Sequence, residues 1–431
     1  MRQRRNYIEE EGGAGGRGFE ESARCGETRH LAAMARVAAE TPADAMRDIQ
    51  LLKDEEGGLM YEEGIATISF YKGDFRPAAD ALRAQLALVV ASNPWLAGRL
   101  VKADNGLRLR HPASPSPADI DSLFTATAAG DAGAFKLRPS APYTKICTDL
   151  YQSGKAVVGS GTSLVGKAWD KAKPVALLTL AESAPGEFAL IFSMSHAVGD
   201  GRTYYEIFQM LQPGAAVRVL STDRVMSFSE AMRDVCGRKD LEWAEKAGSN
   251  CLMIMSLMFQ KKVKCFAWHL DSERLAAAKS AAAADGQVPY VSTNDVLTSA
   301  FFTKCRTRIG FMGMDCRERI KDVSKDLAGN YVTALVMDPH TFKTPASVRK
   351  MLSSTPHETT HEPLPTCCGY MCGGQSGKSA MVTNWSSFAG GLIQLQGCEM
   401  VIHLPVKVRA RACCCSMRSR ACSRAQTLAR G

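Results

Sequence analysis

The sequence predicts an α/β protein of two lobes, each a mixed sheet with flanking helices. Three observations predict it. The chain has 431 residues, more than one hydrophobic core ordinarily serves, so two domains of usual size are expected. Its composition, 45% hydrophobic and 23% charged, is that of a globular protein. Strand-like and helix-like segments mix in both halves, with no repeat of fixed period.

Residues 1–44 are expected to be disordered, since 9–30 are rich in Gly and Glu. Met1 to Arg5 is basic, but Glu9, Glu10 and Glu11 follow and no apolar core comes after. That pattern fits neither a secretory signal nor a transit peptide, and a cytoplasmic location is expected by default. No apolar run approaches the roughly 20 residues of a membrane span.

Residues 45–225 read as the first lobe. Residues 64–71 (GIATISFY) alternate as a strand does. Residues 77–92 place Leu82, Leu86, Val89 and Val90 on one helical face and stop before Asn93-Pro94. Strands at 100–102 and 107–110 flank Asn105-Gly106, a hairpin turn signal. Residues 111–174 read as loop-rich. Two apolar strands, 175–182 and 188–194, are joined by a Pro-Gly turn, and a helix is expected at 202–211.

Residues 226–260 are expected to be a crossover linker, within a polar stretch from about 221 to 250. The second lobe, 261–404, opens with a strand at 262–269. A helix follows at 272–284, capped by Asp271. Ser292-Thr293-Asn294-Asp295 has the spacing of a capping box and should start a helix running to about Arg308. Later strands are expected at 331–337 and 380–384.

Residues 405–431 read as a basic Cys/Arg-rich tail without core periodicity. The net charge of +9 is concentrated there: Lys407, Arg409, Arg411, Arg418, Arg420, Arg424 and Arg430 stand in a stretch with no acidic residue, which leaves about +2 for the rest. The body is therefore not the basic surface that nucleic acid requires, and no nucleic-acid partner is expected. The 15 cysteines are odd in number and irregular in spacing. They fit free thiols better than a disulfide framework or a zinc ribbon.

The segment that carries chemistry is Phe192-Ser193-Met194-Ser195-His196-Ala197-Val198-Gly199-Asp200-Gly201. A histidine at a strand's end projects from an ordered scaffold. Its neutral imidazole can accept a proton near pH 7 from a hydroxyl or amine. Asp200 lies across a tight turn, where a carboxylate would hold the turn through an arginine rather than touch substrate. Alone, H-x-x-x-D-G is also compatible with a capped turn and an ordinary histidine.

Other segments narrow the choice. Asn93-Pro94-Trp95-Leu96-Ala97-Gly98-Arg99-Leu100, the H-x-x-x-D-G motif, Ser292-Thr293-Asn294-Asp295, Met314-Asp315-Cys316-Arg317 with Gly329-Asn330-Tyr331, and Thr383-Asn384-Trp385-Ser386-Ser387-Phe388 occur in that order. Together they resemble the CoA-dependent acyltransferases related to chloramphenicol acetyltransferase and the plant BAHD enzymes. The resemblance covers residues 60–404. It implies two chloramphenicol-acetyltransferase-like lobes with a channel between them, and His196 at mid-channel as general base. Asp200, Gly201 and Arg317 would be structural, with Arg317 pairing Asp200. On that pairing, reversing both charges should restore folding better than either single change. Trp385, Ser386 and Ser387 would lie near the oxyanion and substrate.

The activity implied is an acyl-CoA-dependent O- or N-acyltransferase, for acyl groups other than amino-acyl. It would need no bound cofactor or metal, with acyl-CoA as co-substrate and a small alcohol or amine as acceptor. Ser195 replaces the first His of the H-H-x-x-x-D-G version, which speaks against peptide condensation. D-F-G-W-G is absent, and the pattern is lost after Leu404-Pro405, so the second lobe is expected to be incomplete.

Two other readings stand beside this one. The first is a non-catalytic CoA- or ligand-binding relative. The second is a zinc metallopeptidase using His357 and His361 of His357-Glu358-Thr359-Thr360-His361, although Pro356 and Pro363 leave little room for the helix that site needs. A phosphate loop at 373–379 lacks its first glycine, which would fall at Cys372.

Overall fold

The computed structural model describes residues 45–56, 64–104, 106–131, 137–159, 173–245, 270–284, 286–357, 378–386, 388, 391–406 and 414–416. The expected disorder before residue 45, the strand at 262–269, His361 and Ser387 lie outside the described residues.

Order begins at β1 (Met46–Gln50), followed by a 3-10 turn (Lys53–Glu55), β2 (Gly64–Lys72) and α1 (Phe75–Ser92). Helix α1 starts two residues before the expected Pro77. Asp74 is extended and its carboxylate accepts the Arg76 N–H, which caps the helix there. Next come β3 (Arg99–Ala103) and β4 (Gly106–Pro112), the expected hairpin, paired antiparallel.

The stretch expected to be loop-rich contains α2 (Pro117–Leu123), β5 (Phe124–Thr127) and α3 (Tyr143–Ser153). Ser116 and Asp119 form a capping box with Pro117 at the first helical position, a start signal set before a very short helix. Then follow β6 (Ala176–Ala184), β7 (Glu187–Ser195) and α4 (Gly201–Met210), close to expectation.

The polar stretch between the halves holds two helices, α5 (Phe228–Cys236) and α6 (Arg238–Glu245). In α5, Phe228, Ala231, Met232, Val235 and Cys236 recur at helical spacing and pack in or against the second lobe's core, so its apolar stripe is present in the sequence. Beyond them lie α7 (Ser272–Ala283) and α8 (Thr293–Lys304), capped as expected by Asp271 and Ser292. Helix α8 stops short of Arg308. Arg306 adopts a left-handed φ of 52° and turns the chain into β8 (Thr307–Asp315). The rest is β9 (Val332–Met337), α9 (Pro339–Phe342), α10 (Pro345–Ser353), β10 (Lys378–Thr383), β11 (Glu399–Val406) and β12 (Cys414–Ser416).

The strands form three sheets. The five-stranded sheet runs β11-β2-β7-β6-β5, antiparallel except where β5 lies parallel to β6. The four-stranded sheet runs β12-β10-β8-β9, with β8 and β9 antiparallel and the other pairs parallel. A small antiparallel sheet, β1-β4-β3, completes the first half. Both main sheets are mixed and flanked by helices, the architecture expected of the two lobes.

Strand β2 is buried on both faces. Ala66, Ile68 and Phe70 meet Ile146 and Leu150 of α3 in one core. Ile65 and Tyr71 face the larger core, built with α1 and α4. The second lobe closes its own core around Phe302, Met312, Met314, Tyr331, Leu335 and Val382. Leu52, from the N-terminal segment, packs into that second core and ties the start of the chain to the second lobe.

One boundary differs from expectation. Strand β11 sits on the edge of the first lobe's sheet, antiparallel to β2, although the sequence reading assigned residues to 404 to the second lobe and began the tail at 405. Residues 405 and 406 continue this strand, and Cys414–Ser416 pairs with β10. The crossing satisfies an edge that β2 would otherwise leave open. It is held inside by His403, whose Nδ1 lies 2.8 Å from Ser69 Oγ and whose Nε2 lies 3.3 Å from Tyr205 Oη.

Both Ser69 and His403 are buried. His403→Ala should therefore leave the serine hydroxyl short of a partner and lower unfolding free energy by about 1–3 kcal/mol. Urea titration should show a lower midpoint with an unchanged slope.

Candidate active site

The H-x-x-x-D-G segment joins the end of β7 to the start of α4. Ser195 ends the strand, the Val198 N–H returns to the Ser195 carbonyl at 3.2 Å, and Asp200 caps α4 by accepting the Thr203 N–H at 3.0 Å. His196 is thereby set at the tip of a central strand, facing the loop between β8 and β9 of the other lobe. That loop supplies Arg317, Gly329, Asn330 and Tyr331.

Asp200 and Arg317 are both buried, and the guanidinium grips the carboxylate with two nitrogens. Nη1 donates to Oδ2 at 2.8 Å and Nη2 donates to Oδ1 at 3.3 Å. The Tyr331 N–H also donates to Oδ2, at 3.0 Å. Arg317 spends its other donors on the Leu327 and Gly329 carbonyls, Thr203 Oγ1 and Asp315 Oδ1. Burial pushes the Asp200 carboxyl up, but the Arg317 charge and the donors around it outweigh burial and hold it below the usual carboxylate range. For Arg317, burial acts downward and the charges of Asp200 and Asp315 outweigh it, so the guanidinium is held above its ordinary value.

The pairing expected from the sequence is thus present in the geometry, but the expected charge swap does not follow from it. Asp200 must also accept the N–H groups of Thr203 and Tyr331. An arginine at 200 has no acceptor to offer them.

Two glycines are required here. Gly329 has φ +129°, and a side chain there would press on the Arg224 guanidinium at 2.9 Å. Its carbonyl accepts from the Asp200 N–H, Thr203 Oγ1 and Arg317 Nη2. Gly201, the last residue of the motif, faces the Trp385 indole: an added Cβ would lie 3.0 Å from its Nε1.

His196 retains accessible surface, yet protein surrounds it closely enough that burial is the main influence on its titration. The ring thus lies in a recess. Burial lowers its pKa from the ordinary 6.5, against smaller upward pulls from a backbone hydrogen bond, Asp200, Asn330 and Glu55.

Its tautomer follows from Asn330. The Asn330 amide nitrogen donates to the His196 carbonyl at 2.7 Å and to Glu55 Oε1 at 3.1 Å, so its orientation is determined. Asn330 Oδ1 then faces His196 Nδ1 at 3.0 Å and must accept from it. The network assigns the proton to Nδ1 and the lone pair to Nε2. A ring in this state can take up a proton at Nε2 without disturbing its hydrogen bond to Asn330.

Trp385 packs edge-on to Tyr205 of α4, with ring centroids 5.9 Å apart. Ser386 closes a local turn, donating from both its N–H and its hydroxyl to Asn384 Oδ1. The segment therefore lies against the helix that the motif opens. Ser386's described bonds stay within its own turn. Sequence reasoning quoted Asn330 within a matching stretch without giving it a role, and it passed over Glu55 and Arg224 altogether.

His357 is a core residue. It lies beyond the end of α10, it is buried, and its Nδ1 is 3.0 Å from the Met351 carbonyl. The rest of the H-E-x-x-H stretch lies outside the described residues, and among the described residues no group of His, Cys, Asp and Glu is arranged to hold a metal. A hollow of about 550 Å³ opens beside the β3–β4 hairpin, lined by Met46, Arg99, Val101, Arg110 and Asp119 among others.

No family model and no curated protein sequence matches the chain. Solved structures do. The first condensation domain of the CDA synthetase matches with a TM-score of 0.50 at 12% identity, covering 88% of each chain. TRI101 of F. graminearum, complexed with coenzyme A and T-2 mycotoxin, matches with 0.51 at 14% identity, covering 83% of this chain and 89% of that one. The chain has the two-lobed CoA-acyltransferase fold. Polyketide synthase associated protein 5 from Mycobacterium tuberculosis matches with 0.51 at 15% identity, over 86% of this chain and 90% of that one. Among the described residues, no helix is long and apolar enough to cross a membrane.

Breaking the buried pair should be costly. Arg317→Met leaves Asp200 uncompensated and should destabilise the protein by about 3–5 kcal/mol. The folded pKa of Asp200 is depressed, so its stabilisation is fully present above the ordinary carboxylate pKa of about 3.8 and is lost as pH falls through the lower folded value. Unfolding free energies measured by urea titration across that range should fall less steeply for Asp200→Asn than for the parent.

Proposed function

We propose that the protein transfers an acyl group from acyl-CoA to the hydroxyl or amine of a small acceptor, with His196 as general base. The observation that carries this reading is the hydrogen bond between His196 Nδ1 and Asn330 Oδ1, which commits the ring's lone pair to Nε2. The two-lobed fold supports it, as does the CoA held by TRI101.

In the proposed reaction Nε2 removes the acceptor's proton as its oxygen or nitrogen attacks the thioester carbonyl. The tetrahedral intermediate collapses, the C–S bond breaks, and the imidazolium returns the proton to the departing CoA thiolate. Asn330 Oδ1 can accept from Nδ1–H in both the neutral and charged ring, so the base cycles without rearrangement. Asp200, Gly201 and Arg317 act structurally by fixing the turn. Trp385 and Ser386 belong to the neighbourhood of the developing oxyanion. The two substrates would enter from opposite faces of the lobe junction, which explains why residues from both lobes frame one imidazole.

The test is a panel of acyl-CoAs offered with alcohol and amine acceptors, following release of free thiol. His196→Ala should reduce release by about 10²- to 10⁴-fold. Equal release by both proteins would remove the enzymatic reading, and CoA binding without turnover in the parent would point to a non-catalytic relative. Because the base must be neutral and its pKa is lowered by burial, kcat/KM should hold as pH falls to 6.5 and decline only below it.

A further inference from the structure

The carboxylate of Glu55 is fully buried and lies behind Asn330, on the side away from His196's ring. It arrives on the 3-10 turn Lys53–Glu55, whose neighbour Leu52 is anchored in the second lobe's core. Its two oxygens meet four donors. Oε1 accepts the Asn330 backbone N–H at 2.8 Å and the Asn330 amide at 3.1 Å. Oε2 accepts the Leu52 N–H at 2.9 Å and Arg224 Nε at 2.8 Å. A carboxylate offers about four lone-pair sites, and all are used. Arg224 is itself fixed by the Thr222 and Ala328 carbonyls.

We propose that Glu55 is a positioning residue for His196, acting through Asn330: by accepting both N–H groups of Asn330 it holds that side chain one way round and so sets the imidazole tautomer. This inference rests on the reading of His196 as the base.

The physical argument is one of donors and acceptors. Asn330 can turn its oxygen to His196 only while its nitrogen has acceptors behind it. Glu55 and the His196 carbonyl supply them. A glutamine at 55 has nearly the same shape but carries an NH₂ group. That group must oppose either Leu52 and Arg224, which are donors, or Asn330. Turning the Asn330 side chain over relieves only the amide's share of the second conflict, since the Asn330 backbone N–H still faces the new NH₂ group and the turned oxygen faces the His196 carbonyl, and it points the Asn330 amide nitrogen at His196 Nδ1. The ring then shifts its proton to Nε2, where a base needs its lone pair.

Charged and titratable groups around the imidazole come from several elements: Asp200 and its partner Arg317, Glu55 and its partner Arg224, and Tyr331. Among these, the Glu55 charge pulls the His196 pKa upward. Neutralising it should move the acid limb of the rate profile to lower pH.

The decisive variant is Glu55→Gln, studied in the full chain. Nitrogen-15 spectra of labelled histidine should show His196 protonated at Nδ1 in the parent and a mixture of both tautomers in the variant. Turnover should drop about 10- to 100-fold with KM for both substrates little changed, and the acid limb should shift down. In an Asn330→Ala background the same substitution should add little, because the route through Asn330 is already cut. If Glu55→Gln does not fold, Glu55→Asp serves. It keeps the charge, withdraws it by one methylene from Asn330, and should again mix the tautomers.

A variant that lowers only thermal stability, with a parental tautomer, turnover and acid limb, would overturn the proposal. So would full additivity with Asn330→Ala. The spectra need no substrate, so they test Glu55 even if His196→Ala shows that the acyltransferase reading fails.

Discussion

The ion pair between Asp200 and Arg317 is the constraint on which the rest depends. An isolated charge in a protein interior is prohibitively costly. Here every acceptor site on the carboxylate and nearly every donor on the guanidinium is matched. The pair joins the start of a helix in one lobe to a loop in the other. Because the partners span the lobe junction, separating the lobes there would break the pair and the hydrogen bonds around it. His196 stands one turn upstream of Asp200, so its place relative to the second lobe is set by the same bonds.

Around that pair the site is assembled from segments far apart in the chain. The strand β7 presents His196. The loop after β8 presents Arg317, Gly329 and Asn330. The N-terminal turn brings Glu55, and the segment after β10 lays Trp385 over Gly201. The motif's final glycine is thus explained by an indole from the other end of the sequence. Short polar contacts, rather than apolar area, determine how these pieces meet.

Much of the scaffold was legible in the sequence. Strand β2 shows itself by its alternation and β6 and β7 by their apolar runs, and α7 and α8 because Asp271 and Ser292 are cap residues in the right place. His196 and Asp200 stand out in the motif itself, and the pairing of Asp200 with Arg317 is what the family resemblance implies. Glu55 could not. In Lys53-Asp54-Glu55-Glu56 it looks like part of a solvated charged run, and nothing local distinguishes it from its exposed neighbours. Its burial is decided by Arg224 and Asn330, more than 160 residues away. Strand β11 was missed for a related reason: nothing in its largely apolar, half-buried run Met400 to Val406 says which sheet it joins. Helices α5 and α6 are short and set among charged residues, so they read as a polar stretch, although Phe228, Ala231, Met232, Val235 and Cys236 do give α5 an apolar face.

The return of β11 to the first sheet also bears on how the chain is made. Strand β2 emerges from the ribosome early, but its outer neighbour is synthesised more than 300 residues later. Through that interval the nascent first lobe carries an open edge of backbone donors and acceptors, a template for pairing with other chains. Closing it requires a contact of very long sequence separation, which slows the last step of folding. The first lobe is therefore completed only after nearly all of the chain has been made.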